Sequence, residues 1–564
     1  MMARKNRPTR WFQIVFLCLL AMFSMSSTAL LSARAFGQDK KEEEKEAAKS
    51  NPKAVAIYGD AASFQNKKLF DIAVEEWQRL IKTFPADPLA KKAQFYLGVC
   101  QREQEQYSQA AASFDLTVTK YKPFEFTEEA YYQLGWCRFT IAAEKKGDDR
   151  AALLADSITA FSDGITNYAK GPFADDGLYF RGEAHYKLGN LDEAIASYQE
   201  LVDNVTYAKS NVRNIGLYAL GVTYEELKKD QDAGKLYDLF LEEFPEDKLA
   251  SEVKLRKADI VFRGGNVGEA EKLFAAMVIE PNFPRLDFAL YRQAGCLARL
   301  KRHEDAAAVF NRVVDEHADS AFVAESRLSV GRCFFNAKKN GPALEWFQKV
   351  IALKGAETAE AAHWASRIQL SAKQFDAVLE MTSVALPLAV GSSFLPELLV
   401  DRGDALLDKG DKPEALKHYL QVADNHADSP IAPQALYNAT FTLLDLKQQD
   451  AAVARATTFQ NKFKDHVLLP DILYLLGEAH VQRDKLPEAE TTFRQLLENH
   501  AGHPQFSSWQ LRLGEILHFQ KKYDETVTFV AGILDKLEGP EEQGQAHFMV
   551  GSAHFFKDRF AEAT

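Results

Sequence analysis

The stretch FYLGVCQREQEQYSQAAASF, residues 95–114, puts a Gly and a Cys on one helical pattern, follows them with a polar turn, and continues with small residues and a Phe. Taken alone, a thiol beside a Gly is compatible with redox chemistry or metal ligation. The rest of the chain changes that reading, because the stretch recurs. LYFRGEAHYKLGNLDEAIASY (178–198), LYALGVTYEELKKDQDAGKLY (217–237), LVDRGDALLDKGDKPEALKHY (399–419) and LYLLGEAHVQRDKLPEAETTF (473–493) share its spacing. In each, a Gly is followed twelve residues later by Ala and sixteen later by an aromatic residue. A fixed period of this length is the mark of a repeat architecture.

The small residue falls at Ala61, Gly98, Gly135, Gly182, Gly221, Ala258, Ala294, Gly331, Ala365, Gly403, Ala439, Gly477, Gly514 and Gly551, with the register of the ninth and eleventh units open by one residue. Most intervals are 36 to 39 residues; that between Gly135 and Gly182 is 47 and that between Gly331 and Ala365 is 34. Each unit reads as two amphipathic helices. Tyr179, Phe180, Gly182 and Tyr186 share one helical face, and Ala194, Tyr198 and Leu201 share the next. Turns such as KLGNLDEA, RGGNVGEA and DKGDKPEA, rich in Gly, Asn and Asp, separate them. Pro413 and Pro487 suit the first turn of the second helix, where the missing N–H has no partner to lose. One helix pair cannot bury both its faces, so stacked pairs share a continuous core.

The pattern resembles the tetratricopeptide repeat family: a small residue at slot eight, an aromatic near slot seventeen, Ala at slot twenty and an aromatic at slot twenty-four. In the second unit these are Gly98, Tyr107, Ala110 and Phe114; in the first, Ala61, Phe70, Ala73 and Trp77. Pro85 and Pro245 stand where that family ends a repeat. The resemblance implies an all-α, right-handed α-solenoid of about 13–14 helix pairs over residues 54–564, with the last repeat incomplete. The family's usual period is about 34 residues, so these units run long. With FPADPLAKKA and FPEDKLASEV at unit ends, they look like the envelope subgroup, as in the outer-membrane assembly lipoprotein and the Tol-Pal coordinator. The lipobox of the first and the apolar heptads of the second are absent.

Ahead of the repeats, MMARKNRPTR is basic, WFQIVFLCLLAMF is apolar, and Ala33-Arg34-Ala35 is a small-x-small end. Residues 1–35 thus read as a secretory signal peptide and imply export to the periplasm or cell envelope; an uncleaved membrane anchor is the competing reading. Residues 36–53, including DKKEEEKEAAKS, form a charged spacer. The chain has a net charge of −12, and the leader carries five basic residues and no acid, so its removal makes the remainder more acidic still. An acidic chain without basic stripes is not built for nucleic acid.

The four cysteines beyond the leader, Cys100, Cys137, Cys296 and Cys333, all stand at slot ten. Other units put Ala184, Ala405, Ala479, Ala553, Ser63 or Thr223 there. A buried Cys behaves as a small hydrophobe, and helices about 8–10 Å apart hold the Cα atoms beyond easy disulfide reach, so packing is expected over bridging. His317, His426 and His500 share slot thirty-one, which Phe84, Tyr121 and Phe244 fill elsewhere. No Cys/His cluster has zinc spacing, and no phosphate-loop, HExxH or GxSxG motif occurs. No catalytic residue, metal or cofactor is expected.

Slot five carries Phe95, Tyr132, Tyr179, Tyr218, Tyr291, Tyr474 and Phe548, and slot nine carries Glu183, Asp259, Asp404, Glu478 and Glu515. The resemblance places slots five, nine, twelve and thirteen on a concave groove. Together these rings and acids would suit a basic or amphipathic peptide; the alternative is that the rings are core. The Lys and Asn of the family's carboxylate clamp are missing. Residues 141–156 lengthen the third unit by roughly ten residues, as a binding insertion or simply a longer hairpin. An exported scaffold for partner proteins or peptides is the leading function. A targeting arm for a catalytic domain beyond Thr564 and a polysaccharide-associated adaptor are the alternatives.

Overall fold

A computed structural model describes residues 49–537 and 539–564. The signal peptide and residues 36–48 of the spacer lie outside them. The described residues are 76% helical and contain no strand. Among them no helix is long and apolar enough to cross a membrane. The chain divides into two compact units, one ending at Gly264 and the other beginning at Gly265.

Unit one holds α1 (Pro52–Asn66) and α2 (Phe70–Thr83), α3 (Ala90–Glu103) and α4 (Tyr107–Lys120), and α5 (Thr127–Ala143) and α6 (Gly147–Asn167). After these come α7 (Ala174–Leu188) and α8 (Leu191–Asp203), α9 (Arg213–Glu226) and α10 (Asp230–Glu243), and α11 (Ala250–Arg263). Unit two opens with α12 (Val267–Val278), α13 (Leu286–Arg299) and α14 (His303–Glu316), α15 (Val323–Asn336) and α16 (Asn340–Ala352), and α17 (Thr358–Ser371) and α18 (Phe375–Ala385). It continues with α19 (Leu395–Asp408) and α20 (Lys412–Asn425), α21 (Ala432–Asp445) and α22 (Gln449–Lys462), and α23 (Leu469–Gln482) and α24 (Leu486–Asn499). The last described helices are α25 (Phe506–Phe519), α26 (Tyr523–Ala531) and α27 (Pro540–Phe555). The first helix starts at Pro52, two residues ahead of the expected start of the array, with the Asn51 side chain accepting from the Lys53 amide at 2.9 Å.

The expected Gly–aromatic spacing is a direct contact. A Cβ built on Gly98 would lie 2.8 Å from the Phe114 ring, one on Gly331 2.5 Å from Phe347, and one on Gly403 2.6 Å from Tyr419. The ring of the second helix therefore occupies the space a side chain on the first would need. In the third unit the partner of Gly135 is Phe161, ten residues later than elsewhere, at 2.7 Å. Both helices of that unit are lengthened: α5 has 17 residues and α6 has 21, against 14 in most others. Ala142 and Leu154 on the extension are buried in the same cluster as Phe139 and Phe180, so the insertion is a longer hairpin bedded in the core.

Two assignments of the small residue are corrected. The ninth residue of α17 is Ser366, and that of α21 is Thr440, where Ala365 and Ala439 were expected. The positions sixteen residues on are Thr382 and Ala456, both fully buried. Neither unit has the aromatic ring, so the small neighbour on either side fitted the sequence pattern equally. In the eleventh unit the sizes are exchanged, a larger Thr facing a smaller Ala.

The turns between paired helices also depart from expectation. Outside the third unit, the residue two before the second helix is left-handed, and it is Gly only at Gly189, Gly265 and Gly410; Lys68, Lys228, Lys301, Lys338, Lys373, Lys447 and Lys521 hold φ between 57° and 63°. A left-handed non-Gly residue costs roughly 1 kcal/mol. The bend is held by a six-to-one hydrogen bond of the Schellman type, as from the Lys339 amide to the Phe334 carbonyl at 2.9 Å and from Asp411 to Leu406 at 2.9 Å.

Gly403 and Gly295 separate the two roles a helical glycine can have. Nothing lies within 4 Å of a Cβ on Gly295. Gly403→Ala is expected to lower stability by about 1–3 kcal/mol through overpacking, and Gly295→Ala to raise it by about 0.5–1 kcal/mol. Urea unfolding followed by circular dichroism checks both; equal effects would remove the contact as the determinant.

Candidate functional site: the face of the first helices

The slot-five rings face the core in unit one. Phe95, Tyr132, Tyr179 and Tyr218 are all buried, which corrects their placement as an open groove stripe. The residue just before the next first helix covers two of these rings: Phe95 stacks on Phe126 at 4.7 Å and Tyr132 on Phe173 at 5.7 Å. In unit two, Tyr291 stacks on Phe322 at 4.8 Å and is half-buried. Tyr474 is half-buried against Phe493 at 5.8 Å, and Phe548 is exposed. The signal that would have shown this is the apolar residue nine positions before the small one, at Phe126, Phe173, Phe322 and Phe394.

The slot-nine carboxylates are engaged within the protein. The buried Glu183 accepts a hydrogen bond from the Tyr198 hydroxyl at 2.7 Å, and burial pushes its pKa up. Asp404 accepts from the Tyr419 hydroxyl at 2.8 Å and the Asn438 amide at 3.0 Å; burial raises its pKa to about 6. Where the buried ring is Tyr instead of Phe, its hydroxyl needs an acceptor; slot nine supplies it to Tyr198 and Tyr419, and Glu225 at slot twelve supplies it to Tyr237 at 2.5 Å. In the twelfth unit the ring is Phe493, and Glu478 is held instead by Arg512 of the next unit, at 2.6 and 2.8 Å, while Arg512 reaches Glu515 at 2.6 Å. Asp259 is half-buried.

An open cleft of about 540 Å³ lies on this face, between α21 and α23. Phe441, Leu444 and Leu475 give it apolar walls, and Asp445, Glu478 and Gln482 a polar rim, with Lys447 and Gln449 at the turn. Phe441 is 45% exposed, and its ring lines the cleft. Asp445 pairs with Lys412 at 2.6 Å and the Gln449 amide donates to Gln482 at 3.2 Å. Of the expected groove residues, this cleft brings in Glu478 alone. Phe441 went unseen because the Ala439 register puts it at slot ten; with Thr440 at slot eight it stands at slot nine, beside Leu444 at twelve and Asp445 at thirteen.

The cysteines are free thiols, all four buried at slot ten. Burial pushes the pKa of Cys100 and Cys137 up to about 12 and that of Cys333 to about 11, which suppresses the reactive thiolate. His317, His426 and His500 cap the C-terminal ends of α14, α20 and α24 and are half-buried. Among the described residues no group of three His, Cys, Asp or Glu side chains stands close enough to hold a metal.

Two family models, each described as tetratricopeptide repeat, match the chain: one over residues 59–123, 149–209, 400–456 and 474–539, the other over 216–247 and 288–320. Together they take in more than half of the sequence. The chain belongs to the tetratricopeptide repeat family. Solved structures similar to this tetratricopeptide chain include the APC/C hetero-tetramer Cut9–Hcn1, at 14% identity and a TM-score of 0.30, covering 89% of this chain and 96% of that one. Another is Naa15/Naa10 bound to HypK-THB, at 11% identity and a TM-score of 0.36, covering 91% of this chain and 80% of that one. Comparison with curated proteins returns no match.

Two outcomes follow from these positions. Native protein at pH 8 reacts slowly with a thiol reagent, and in denaturant without reductant it yields at least four thiols per chain; fewer than four would establish a disulfide. Between about pH 4 and 6 the folded chain keeps a proton on Asp404 that the unfolded chain has released, so this residue's contribution to stability falls as pH rises through that window. Asp404→Asn removes that dependence, and its urea midpoint should change less than wild type's between pH 4 and 6.5; identical profiles count against a raised Asp404 pKa.

Proposed function

We propose that this tetratricopeptide chain is an exported scaffold that holds partner polypeptides on the face of its first helices, in the service of cell-envelope assembly. The cleft at Phe441 carries the reading. It is open, large enough for a side chain, apolar at its walls and polar at its rim, which is the construction of a peptide-recognition pocket. An exposed aromatic at such a centre is the type of residue that dominates interface energies. Support for export comes from the basic, apolar and small-residue order of residues 1–35. Support for the envelope setting comes from the long units ending in FPADPLAKKA and FPEDKLASEV.

Phe441→Asp is expected to cut retention of partner polypeptides from envelope extract at least fivefold, while the melting temperature stays within the small range of surface substitutions. A benzophenone side chain at position 441 should crosslink the same polypeptides, and one at Thr457 should not. Retention unchanged by Phe441→Asp removes the cleft from the function. Mass spectrometry of the periplasmic fraction should find the chain beginning at Phe36; a chain that keeps its leader in the membrane fraction overturns export.

A further inference from the structure

Slots nine, twelve and thirteen of the first helices are the positions that build the Phe441 cleft, and they can be followed along all of unit two. Slot twelve is apolar from Ala298 through Phe335, Leu370, Leu407 and Leu444 to Val481, and is His518 in α25. The two flanking slots sort their charge by sign. In α13, α15 and α17 they hold Arg299, Arg332 and Arg367 and no carboxylate. In α19 to α25 they hold Asp404, Asp408, Asp445, Glu478 and Glu515 and no base. The change of sign falls between Arg367 and Asp404, in adjacent units, and Phe441 lies one unit further on.

Some of this charge is answered locally. Arg332 pairs with Glu360 at 3.0 Å and with Glu325, and the buried Asp401 lies 2.7 Å from His363 and 4.0 Å from Arg367. On the acidic side Asp445 pairs with Lys412 at 2.6 Å, and Glu478 and Glu515 each pair with Arg512 at 2.6 Å. At the change of sign itself the Arg367 side chain is 52% exposed and Asp408 is exposed. A face with one sign at each end and an apolar line between them distinguishes partners by the order of their charges.

We propose that the inner face of unit two is a polarised seat for one extended polypeptide segment. Its acidic residues lie against Arg332 and Arg367, an apolar side chain enters the cleft at Phe441, and its basic residues lie along the carboxylate run that begins at Asp408. The proposal rests on the scaffold reading and adds the chemistry of the occupant. Successive units advance about 10 Å, roughly three extended residues, so the acidic block and the apolar anchor are about six residues apart. A segment with its charges mixed gains at some contacts what it loses at others, and one with both ends acidic is repelled from the second half.

Two fluorescent synthetic peptides of identical composition test this by anisotropy with the full chain. In one an acidic block, a Phe and a basic block follow one another; in the other acidic and basic residues alternate around the Phe. The block peptide is expected to bind at least tenfold tighter at low salt and to weaken as salt screens the contacts. Arg367→Glu and, separately, Asp408→Lys should each weaken it at least fivefold and leave the alternating peptide within twofold; both positions are exposed, and circular dichroism checks their folding. Equal affinities that Phe441→Asp abolishes together would overturn the polarity and leave the scaffold intact. Absence of binding by both peptides overturns the polarity as well, and the partner retention test at Phe441 then stands alone for the scaffold.

Discussion

The contact on which the rest depends is an aromatic ring pressed against a helix backbone that has no side chain to resist it. Phe114 on Gly98, Phe347 on Gly331 and Tyr419 on Gly403 sit where a Cβ would be. That approach fixes the distance between paired helices, and the Ala four residues before each ring completes it from the other helix. Because the ring leaves no gap, its own chemistry has consequences. A Phe needs nothing further. A Tyr brings a hydroxyl into a dry place, and Glu183 and Asp404 stand at the residue after the glycine to accept from it. The acids that resemble ligands for a basic peptide are thus, in these units, part of the interior. Their raised pKa values record what the burial costs.

That division of labour explains which parts of the molecule were legible in the sequence. The spacing from Gly98 to Ala110 to Phe114 states the helix pair, its turn and its packing at once, so the fold follows from letters alone. Units nine and eleven were misread by one residue because they lack the ring that sets the register. Ala365 and Ser366 are both small, as are Ala439 and Thr440, and nothing sixteen residues on chooses between them. Only the helix boundaries, which depend on the capped turns at Lys373 and Lys447, show that Ser366 and Thr440 take the small slot. The cost of that one-residue error was functional, since it hid Phe441.

The slot-five stripe was ambiguous for a different reason. A period of one ring per unit is what a groove and a core both produce. What separates them is a second residue, nine positions before the next glycine, and its effect is three-dimensional: Phe126 lies on Phe95 only because α5 follows α4 at a particular angle. The turns were misjudged through chemistry. Gly, Asn and Asp are the residues that adopt the left-handed conformation at least cost, yet Lys fills most of these positions. The six-to-one hydrogen bond and the packed helices on either side outweigh a penalty of roughly 1 kcal/mol per turn.

Stacked repeats depend on nearest neighbours, and this bears on where the chain can afford specificity. A change at the glycine or its ring is felt through the whole helix pair. A change at slots nine, twelve or thirteen meets solvent or the next first helix, and its effect stays there. The packing contact therefore holds nearly the same residues from unit to unit, while the face beside it is free to vary. In unit two that variation is ordered: arginines give way to carboxylates between Arg367 and Asp404, along a line that is apolar from Ala298 to Val481. Helix packing does not require such an order, because local pairs such as Arg332 with Glu360 and Arg512 with Glu478 form on both sides of the change. Ion pairs across neighbouring first helices need only opposite signs one unit apart, and would be met equally well by alternation. A run of one sign followed by a run of the other leaves a field along the face, and a field of that shape acts on something longer than a single unit.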